Sequence, residues 1–200
     1  MSGFTKVYFL TEEKDLAFAS DEIIVIKTGK AEWGERLINA LTQIEEDYIY
    51  YSQEDFWAKI PFNPEKYEES FFKYNMNAFR ITEKLHWFNL DHVDGNLWRF
   101  QQNSCYLMNH MFSLWDKNFF LKFLNPEDSP WDNEIEQTKN ISLYKHSIYL
   151  ENNYWFESSV GKGELRDCGR ALVLAHDAEI AEFMKNLGID WSTFRISISA

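Results

Sequence analysis

No apolar run in this chain approaches the roughly 20 residues that a membrane-spanning helix needs. Cysteine is scarce too. Cys105 and Cys168 lie far apart and form no CxxC pair. That argues against a disulfide scaffold and suits reduced thiols in a cytosolic protein. The first residues, Met1-Ser2-Gly3-Phe4-Thr5-Lys6, carry no secretory leader pattern, so the expected location is cytoplasmic. Basic residues are outnumbered, with 20 Lys and Arg against 32 Asp and Glu, for a net charge of −12. Such a chain is a poor partner for nucleic acid or an anionic membrane surface, because both need a basic face. A nucleotide-bound small substrate stays compatible, since one divalent ion inverts the local field. The sequence also lacks HExxH, GxSxG and the P-loop spacing, which removes three common kinds of catalytic site. It has no internal repeat and no low-complexity linker.

What it has in excess is aromatic surface, at 18% of residues within a 45% hydrophobic composition. Two hundred residues of this makeup suit one domain with a substantial core, and most of the rings belong to that core. Lys6–Leu10 and Glu22–Lys27 read as strands, the second apolar enough to be covered on both faces. Trp33, Leu37, Ala40, Leu41 and Ile44 recur at helical spacing, and Tyr48–Ser52 is the next strand. Strand, helix, strand in this order predicts a parallel α/β unit with a right-handed crossover. Further on, the pattern predicts a helix over Glu65–Ala78 and the start of a strand at Phe79-Arg80-Ile81. An irregular loop is expected over His86–Asn96, ending in an Asp94-Gly95 turn. Leu97–Phe100, Tyr106–Met111 and Tyr144–Leu150 read as strands. Asp116–Leu124, Trp131–Lys139 and Asp177–Asn186 read as helices. The fold class expected is α/β, a single domain over 1–200 with a mostly parallel central sheet flanked by helices.

Three places carry chemistry. The strand Tyr48–Ser52 runs into Gln53-Glu54-Asp55, so two adjacent carboxylates follow the tip of an apolar strand. Open α/β sheets bind ligands at that end of their strands, and a divalent cation with its phosphates would use both acids. A solvated acidic loop is the plainer account. The second place is Asn125-Pro126-Glu127-Asp128-Ser129-Pro130-Trp131-Asp132-Asn133-Glu134, with four carboxylates around a helix start. Asp132 and Glu134 fit the capping of a helix start, whereas Glu127 and Asp128 precede the Pro-bounded turn and fit it less well. A carboxylate on a turn beside a Trp suits a general base. The third is Ser158-Ser159-Val160-Gly161-Lys162-Gly163, a Gly-rich segment with one Lys, which reads equally as a surface turn. The five histidines form no metal-ligand pair. His110 and His146 are the two to follow.

The order of these segments resembles a known family. Trp33-x-x-Arg36-Leu37-x-x-Ala40-Leu41-x-x-Ile44 leads to Asp47-Tyr48-Ile49-Tyr50 and Gln53-Glu54-Asp55-Phe56. Tyr106-Leu107-Met108, Ser113-Leu114-Trp115-Asp116-Lys117 and Glu127-Asp128-Ser129-Pro130-Trp131 follow. The series is similar to the GT-A-fold nucleotide-sugar glycosyltransferases of bacterial surface-polysaccharide clusters and large DNA viruses, such as the chlorovirus capsid-glycosylating transferases. The resemblance implies sugar transfer from a UDP- or GDP-sugar to a glycan hydroxyl, with Mn2+ or Mg2+ against the donor diphosphate and inversion at the sugar carbon. It implies Asp55 as the metal ligand, and Gln53 and Glu54 on the donor, with Gln53 replacing an acid. Lys162 would touch the diphosphate. Asp128 would be the base, with Glu127 as its alternative, and Trp115, Trp131 and His110 would line the substrate site. The family's first strand–helix unit has no counterpart here. A non-catalytic glycan-binding or assembly module derived from a transferase is the alternative, and a metal-dependent phosphohydrolase ranks last.

Overall fold

The computed structural model describes residues 4–17, 19–53, 56–58, 63–82, 88–152, 156–158, 160–161, 164–166 and 196–197. The chain divides into two compact units, one of Met1–Gln53 with Ile60–Trp155, the other of Glu54–Lys59 with Phe156–Ala200.

The first unit opens with β1 (Val7–Thr11) and β2 (Ile23–Lys27), which pair in parallel with Val7 opposite Ile23. Gly29, at φ +72°, turns the chain out of β2. α1 (Trp33–Leu41) then buries Gly34, Leu37, Ala40 and Leu41, the face that its apolar spacing predicts. Arg36 fastens this helix to the preceding strands through Thr28 Oγ1 at 3.0 Å and Glu12 Oε1 at 3.1 Å. β3 (Tyr48–Tyr51) follows. After β4 (Phe56–Ala58), which belongs to the second unit, α2 (Pro64–Lys73) starts at Asn63. Asn63 Oδ1 accepts the Glu65 N–H, and Pro64 stands at the first helical position, where a missing N–H costs nothing.

β5 (Ala78–Thr82), β6 (Leu90–Asp94), β7 (Leu97–Phe100) and β8 (Ser113–Asp116) come next. α3 (Lys117–Lys122) is capped by Asp116, and α4 (Pro130–Ser142) by Ser129. β9 (Ile148–Asn152) completes a six-stranded sheet of order β3-β8-β5-β9-β7-β6.

That sheet is mixed and mostly antiparallel, which corrects the parallel sheet expected from the sequence. Only β5 and β9 run parallel; β3/β8, β5/β8, β7/β9 and β6/β7 are antiparallel. β2 pairs with β1 and β3 with β8, so the strand–helix–strand order joins strands of two different sheets. Three local expectations also fail. α2 ends at Lys73, and Asn75 at φ +47° redirects the chain, so Ala78 begins β5 instead of extending the helix. β6 replaces the loop expected over His86–Asn96 and forms a hairpin with β7 through Gly95. Tyr106–Met111 is an irregular segment and not a strand. The helix read at Asp177–Asn186 lies outside the described residues.

The largest cluster of buried side chains described in this unit joins α1, α3, α4 and the main sheet. Ile26, Leu37, Ala40 and Leu41 join Trp115, Phe120, Ile141, Ile148 and Leu150 in a single cluster. β5 lies inside the six-stranded sheet, with Ala78, Phe79, Arg80 and Ile81 all fully buried. No helix among the described residues is long and apolar enough to cross a membrane.

In the second unit β4 pairs antiparallel with β10 (Phe156–Ser158). β11 (Val160–Gly161) pairs antiparallel with β12 (Glu164–Arg166), and β12 runs parallel to β13 (Ile196–Ser197).

Candidate active site

The first four N–H groups of a helix have no partner within it. α1 has no side-chain cap at Glu32. Its N–H groups are met by another loop instead: Gly34 N–H donates to the Asp128 carbonyl at 3.2 Å and Glu35 N–H to the Pro126 carbonyl at 3.0 Å. This approach is close enough to demand glycine. A Cβ at position 34 would lie 2.0 Å from the Asn125 carbonyl oxygen. The loop carrying Glu127 and Asp128 is thus held against the start of α1.

Asp128 turns inward from that loop and is 8% exposed. Its Oδ1 accepts from Asn125 Nδ2 at 2.7 Å, and its Oδ2 from Asn133 Nδ2 at 3.1 Å and Gln137 Nε2 at 3.2 Å. An ionised carboxylate offers about four acceptor positions. Among the described residues three are filled by amides, and the one left is on Oδ1. Asn133 and Gln137 are one helical turn apart on α4, so they reach the carboxylate together. The substitution Asp128→Asn would set a new NH2 group against at least one of these donors, so it removes more than a charge.

Asn133 also reaches the other way, with its Oδ1 3.1 Å from His110 Nε2. His110 is buried against Trp33 of α1 at 4.5 Å, Tyr51 of β3 at 5.8 Å and Phe120 of α3 at 6.0 Å between ring centroids. Its main-chain N–H donates to Glu134 Oε1 at 2.9 Å. Glu134 therefore bonds an inner segment and does not cap α4. That task falls to Ser129, whose Oγ accepts the Asp132 N–H at 3.2 Å and donates to Asp132 Oδ2 at 2.6 Å. Behind this group lies Arg80, wholly buried, donating through Nη2 to the carbonyls of Tyr106 and Leu107. Its guanidinium sits 4.4 Å from the Phe100 ring centroid and 5.7 Å from that of Phe88.

Burial sets the protonation here. It pushes His110 down to about 3, aided by the Arg80 cation and opposed by the Asn133 hydrogen bond. It raises the Glu134 carboxyl against the His110 N–H and Arg80, and it lowers Arg80 to about 9 against the nearby Glu134. His146 is buried and is lowered by burial and by Arg99, against the Gln102 backbone.

The stability consequence has a definite sign. Between pH 6.5 and about 3 the unfolded chain binds a proton at His110 that the folded chain does not, so stability falls as pH falls through that window. The slope is about 1.4 kcal/mol per pH unit for each such histidine. His146 acts in the same direction, and Glu134 acts oppositely above 4.5, where the folded state retains the proton. Urea unfolding between pH 7 and pH 5 is expected to show the midpoint falling, and His110→Gln to remove about one proton from the slope. An unchanged slope in the variant would refute this assignment.

The residues singled out in the sequence are thus dispersed. Asp128 and His110 come together through Asn133, and Tyr51 links them to the end of β3, where Gln53 is half-buried. Glu127 is exposed, its N–H 3.4 Å from Asn125 Oδ1, and Trp131 is 66% exposed on the first turn of α4. Trp115 lines no pocket: it is fully buried and stacked on Phe120 at 4.6 Å, so no ring face is open to a sugar. His110 is likewise 1% exposed. Glu54, Asp55 and Lys162 lie outside the described residues. Among the described residues no three His, Cys, Asp or Glu side chains are grouped to hold a metal. Arg80, Gln137 and Gly34 lie outside the segments singled out in the sequence, and Asn125 and Asn133 lie inside the second of them but carry no assigned role there. Their signals were a lone charge inside an apolar strand and two amides at i, i+4 on the face that also carries Ile141.

No protein-family model matches the chain, and no curated protein matches it in sequence. Among solved structures it is similar to S. aureus TarS. The 1–349 fragment in complex with UDP-GlcNAc gives a TM-score of 0.47 at 14% identity, over 82% of this chain and 53% of that one. The same fragment with UDP gives 0.46 at 14%, over 83% and 52%. TarS itself gives 0.47 at 16%, over 87% and 34%. The chain spans about half the length of the fragments and a third of the longer structure.

Proposed function

We propose that this chain is a nucleotide-sugar glycosyltransferase domain that moves a sugar from a UDP- or GDP-sugar to a glycan hydroxyl. The sequence resemblance motivates the reading, and one observation carries it. The Asp128 carboxylate is fixed by three amides, with one oxygen position left open among the described residues, on a loop tied through Asn133 and His110 to Tyr51 at the end of β3. A general base needs that combination of fixed orientation and a vacant acceptor. In this scheme Asp128 takes the proton of the attacking hydroxyl while the new C–O bond forms and the sugar–diphosphate bond breaks with inversion. Glu127, exposed on the same loop, is the alternative base. Trp131 offers a ring face to a sugar, and Lys162 a charge to the diphosphate. Asp55 would hold Mn2+ or Mg2+, which neutralises charge on the departing diphosphate, and Glu54 would contact the donor. Gln53 would hydrogen-bond a donor hydroxyl. Trp115 and His110, being buried, have no substrate contact in the scheme.

A second reading has its own support. The three amides on Asp128 also make it a structural joint between α1 and α4, and Gln53 replaces an acid. Both suit a non-catalytic module that binds glycan or assists assembly. Calorimetric titration with UDP, GDP and UDP-GlcNAc, with and without Mn2+, separates the two. The transferase reading expects Mn2+-dependent nucleotide binding that Asp55→Ala abolishes while its circular dichroism stays unchanged. Binding of a glycan with no nucleotide affinity would favour the module.

A further inference from the structure

We infer that His110 is a positioning residue for Asp128, acting through the side-chain amide of Asn133. The geometry stands without any assumption about activity; its catalytic consequence rests on the transferase reading.

The two ends of the Asn133 amide are told apart by their partners. One end lies 3.2 Å from the Phe123 carbonyl and 3.1 Å from Asp128 Oδ2, both of which only accept. That end is the NH2 group. The opposite end, facing His110 Nε2, is therefore the carbonyl oxygen and needs a donor. It follows that His110 carries its proton on Nε2, and that Nδ1 is a bare acceptor. Among the described residues Nδ1 has no hydrogen-bond partner. A neutral imidazole is what burial beside Arg80 favours.

His110 is itself immobilised from four elements. Trp33 of α1, Tyr51 of β3 and Phe120 of α3 surround the ring, and Glu134 of α4 holds the main-chain N–H. Asn133 cannot rotate without losing His110 on one side and Asp128 and Phe123 on the other. If position 110 stops donating, the amide loses the partner that fixes its orientation. A flipped Asn133 would turn its oxygen towards the Asp128 carboxylate, which must then rotate away. The vacant position on Asp128 Oδ1 moves with it.

A space-filling aromatic would make the same ring contacts but carry no N–H, and this separates the inference from simple packing. In the wild-type chain, long-range nitrogen-15 spectra are expected to show Nε2 protonated and Nδ1 bare at neutral pH. A proton on Nδ1 overturns the inference. His110→Phe, which keeps the ring, is expected to displace the carbon-13 signal of the Asp128 carboxyl. His110→Gln, which keeps an N–H donor of similar reach, is expected to restore it. A wild-type carboxyl signal in His110→Phe together with a displaced one in His110→Gln means packing alone and refutes positioning. If His110→Phe does not fold, the wild-type tautomer decides alone. Neither spectrum requires a nucleotide, so failure of the transferase reading leaves this test intact. Where UDP release from UDP-GlcNAc is measurable, His110→Phe is expected to lower kcat about ten- to a hundredfold at unchanged KM.

Discussion

Gly34→Ala is expected to destabilise the chain by on the order of 3 kcal/mol, the upper end of what overpacking usually costs. The added Cβ would meet the Asn125 carbonyl oxygen at 2.0 Å, with the Asn125 carbonyl carbon at 3.0 Å and that of Pro126 at 3.2 Å. These are backbone atoms, so no side chain can swing aside. Either α1 or the Asn125–Asp128 loop must move, and the move breaks the bonds from Gly34 N–H to Asp128 and from Glu35 N–H to Pro126. On intrinsic helix propensity alone the same substitution would stabilise by nearly 1 kcal/mol. The two accounts therefore predict opposite signs. A shift of the urea midpoint to lower concentration supports the close approach, and a shift upward rejects it. The variant is also expected to move the Asp128 carboxyl carbon signal, because the loop that carries Asp128 is the part displaced.

Arg80→Leu is the second large effect, expected at about 3 kcal/mol, because two main-chain acceptors lose their donor at about 1–3 kcal/mol each. The guanidinium is completely buried and holds the carbonyls of Tyr106 and Leu107 through Nη2. Glu134 lies near enough to favour its charge, and Nε and Nη1 have no hydrogen-bond partner among the described residues. Leucine leaves two main-chain acceptors without a donor and removes a cation from the neighbourhood of Glu134. It also empties space beneath Phe88 and Phe100. Combining it with Glu134→Gln is expected to recover part of the loss, because the uncompensated carboxyl goes with the arginine. Additive losses in the double variant would mean that Arg80 acts only through the carbonyls. A single variant within 1 kcal/mol of wild type would remove Arg80 from the account altogether.

Arg80 also explains an error of sequence reading. Tyr106–Met111 has the apolar composition of a strand, yet it makes no ladder. Tyr106 adopts φ +53°, and side chains satisfy the backbone in place of a neighbouring strand. Arg80 takes the Tyr106 and Leu107 carbonyls. Thr138 takes the Met108 N–H, Glu134 that of His110 and Asn109 that of Met111. β6 misled in the opposite direction. Leu90-Asp91-His92-Val93-Asp94 looks like a loop because it is polar, and it is polar because it is the sheet edge, where charges discourage further pairing.

What the sequence by itself determined is local. The apolar spacing of Trp33–Leu41 set α1. Asp116 and Ser129 set the starts of α3 and α4, and the β-branched and aromatic runs at Val7, Ile23 and Tyr48 set three strands. Periodicity and capping act within a few residues and so can be read from them. Only the tertiary structure decided which strands pair and in which direction, since a strand's apolar pattern is the same whichever neighbour lies beside it. It alone set Trp115 into the core and brought Asp128 to His110 through Asn133. The contacts from Asn133 to His110 and from Arg80 to Tyr106 and Leu107 join residues far apart in sequence, and such amides and buried charges gain meaning only where folding has removed water and left few partners within reach.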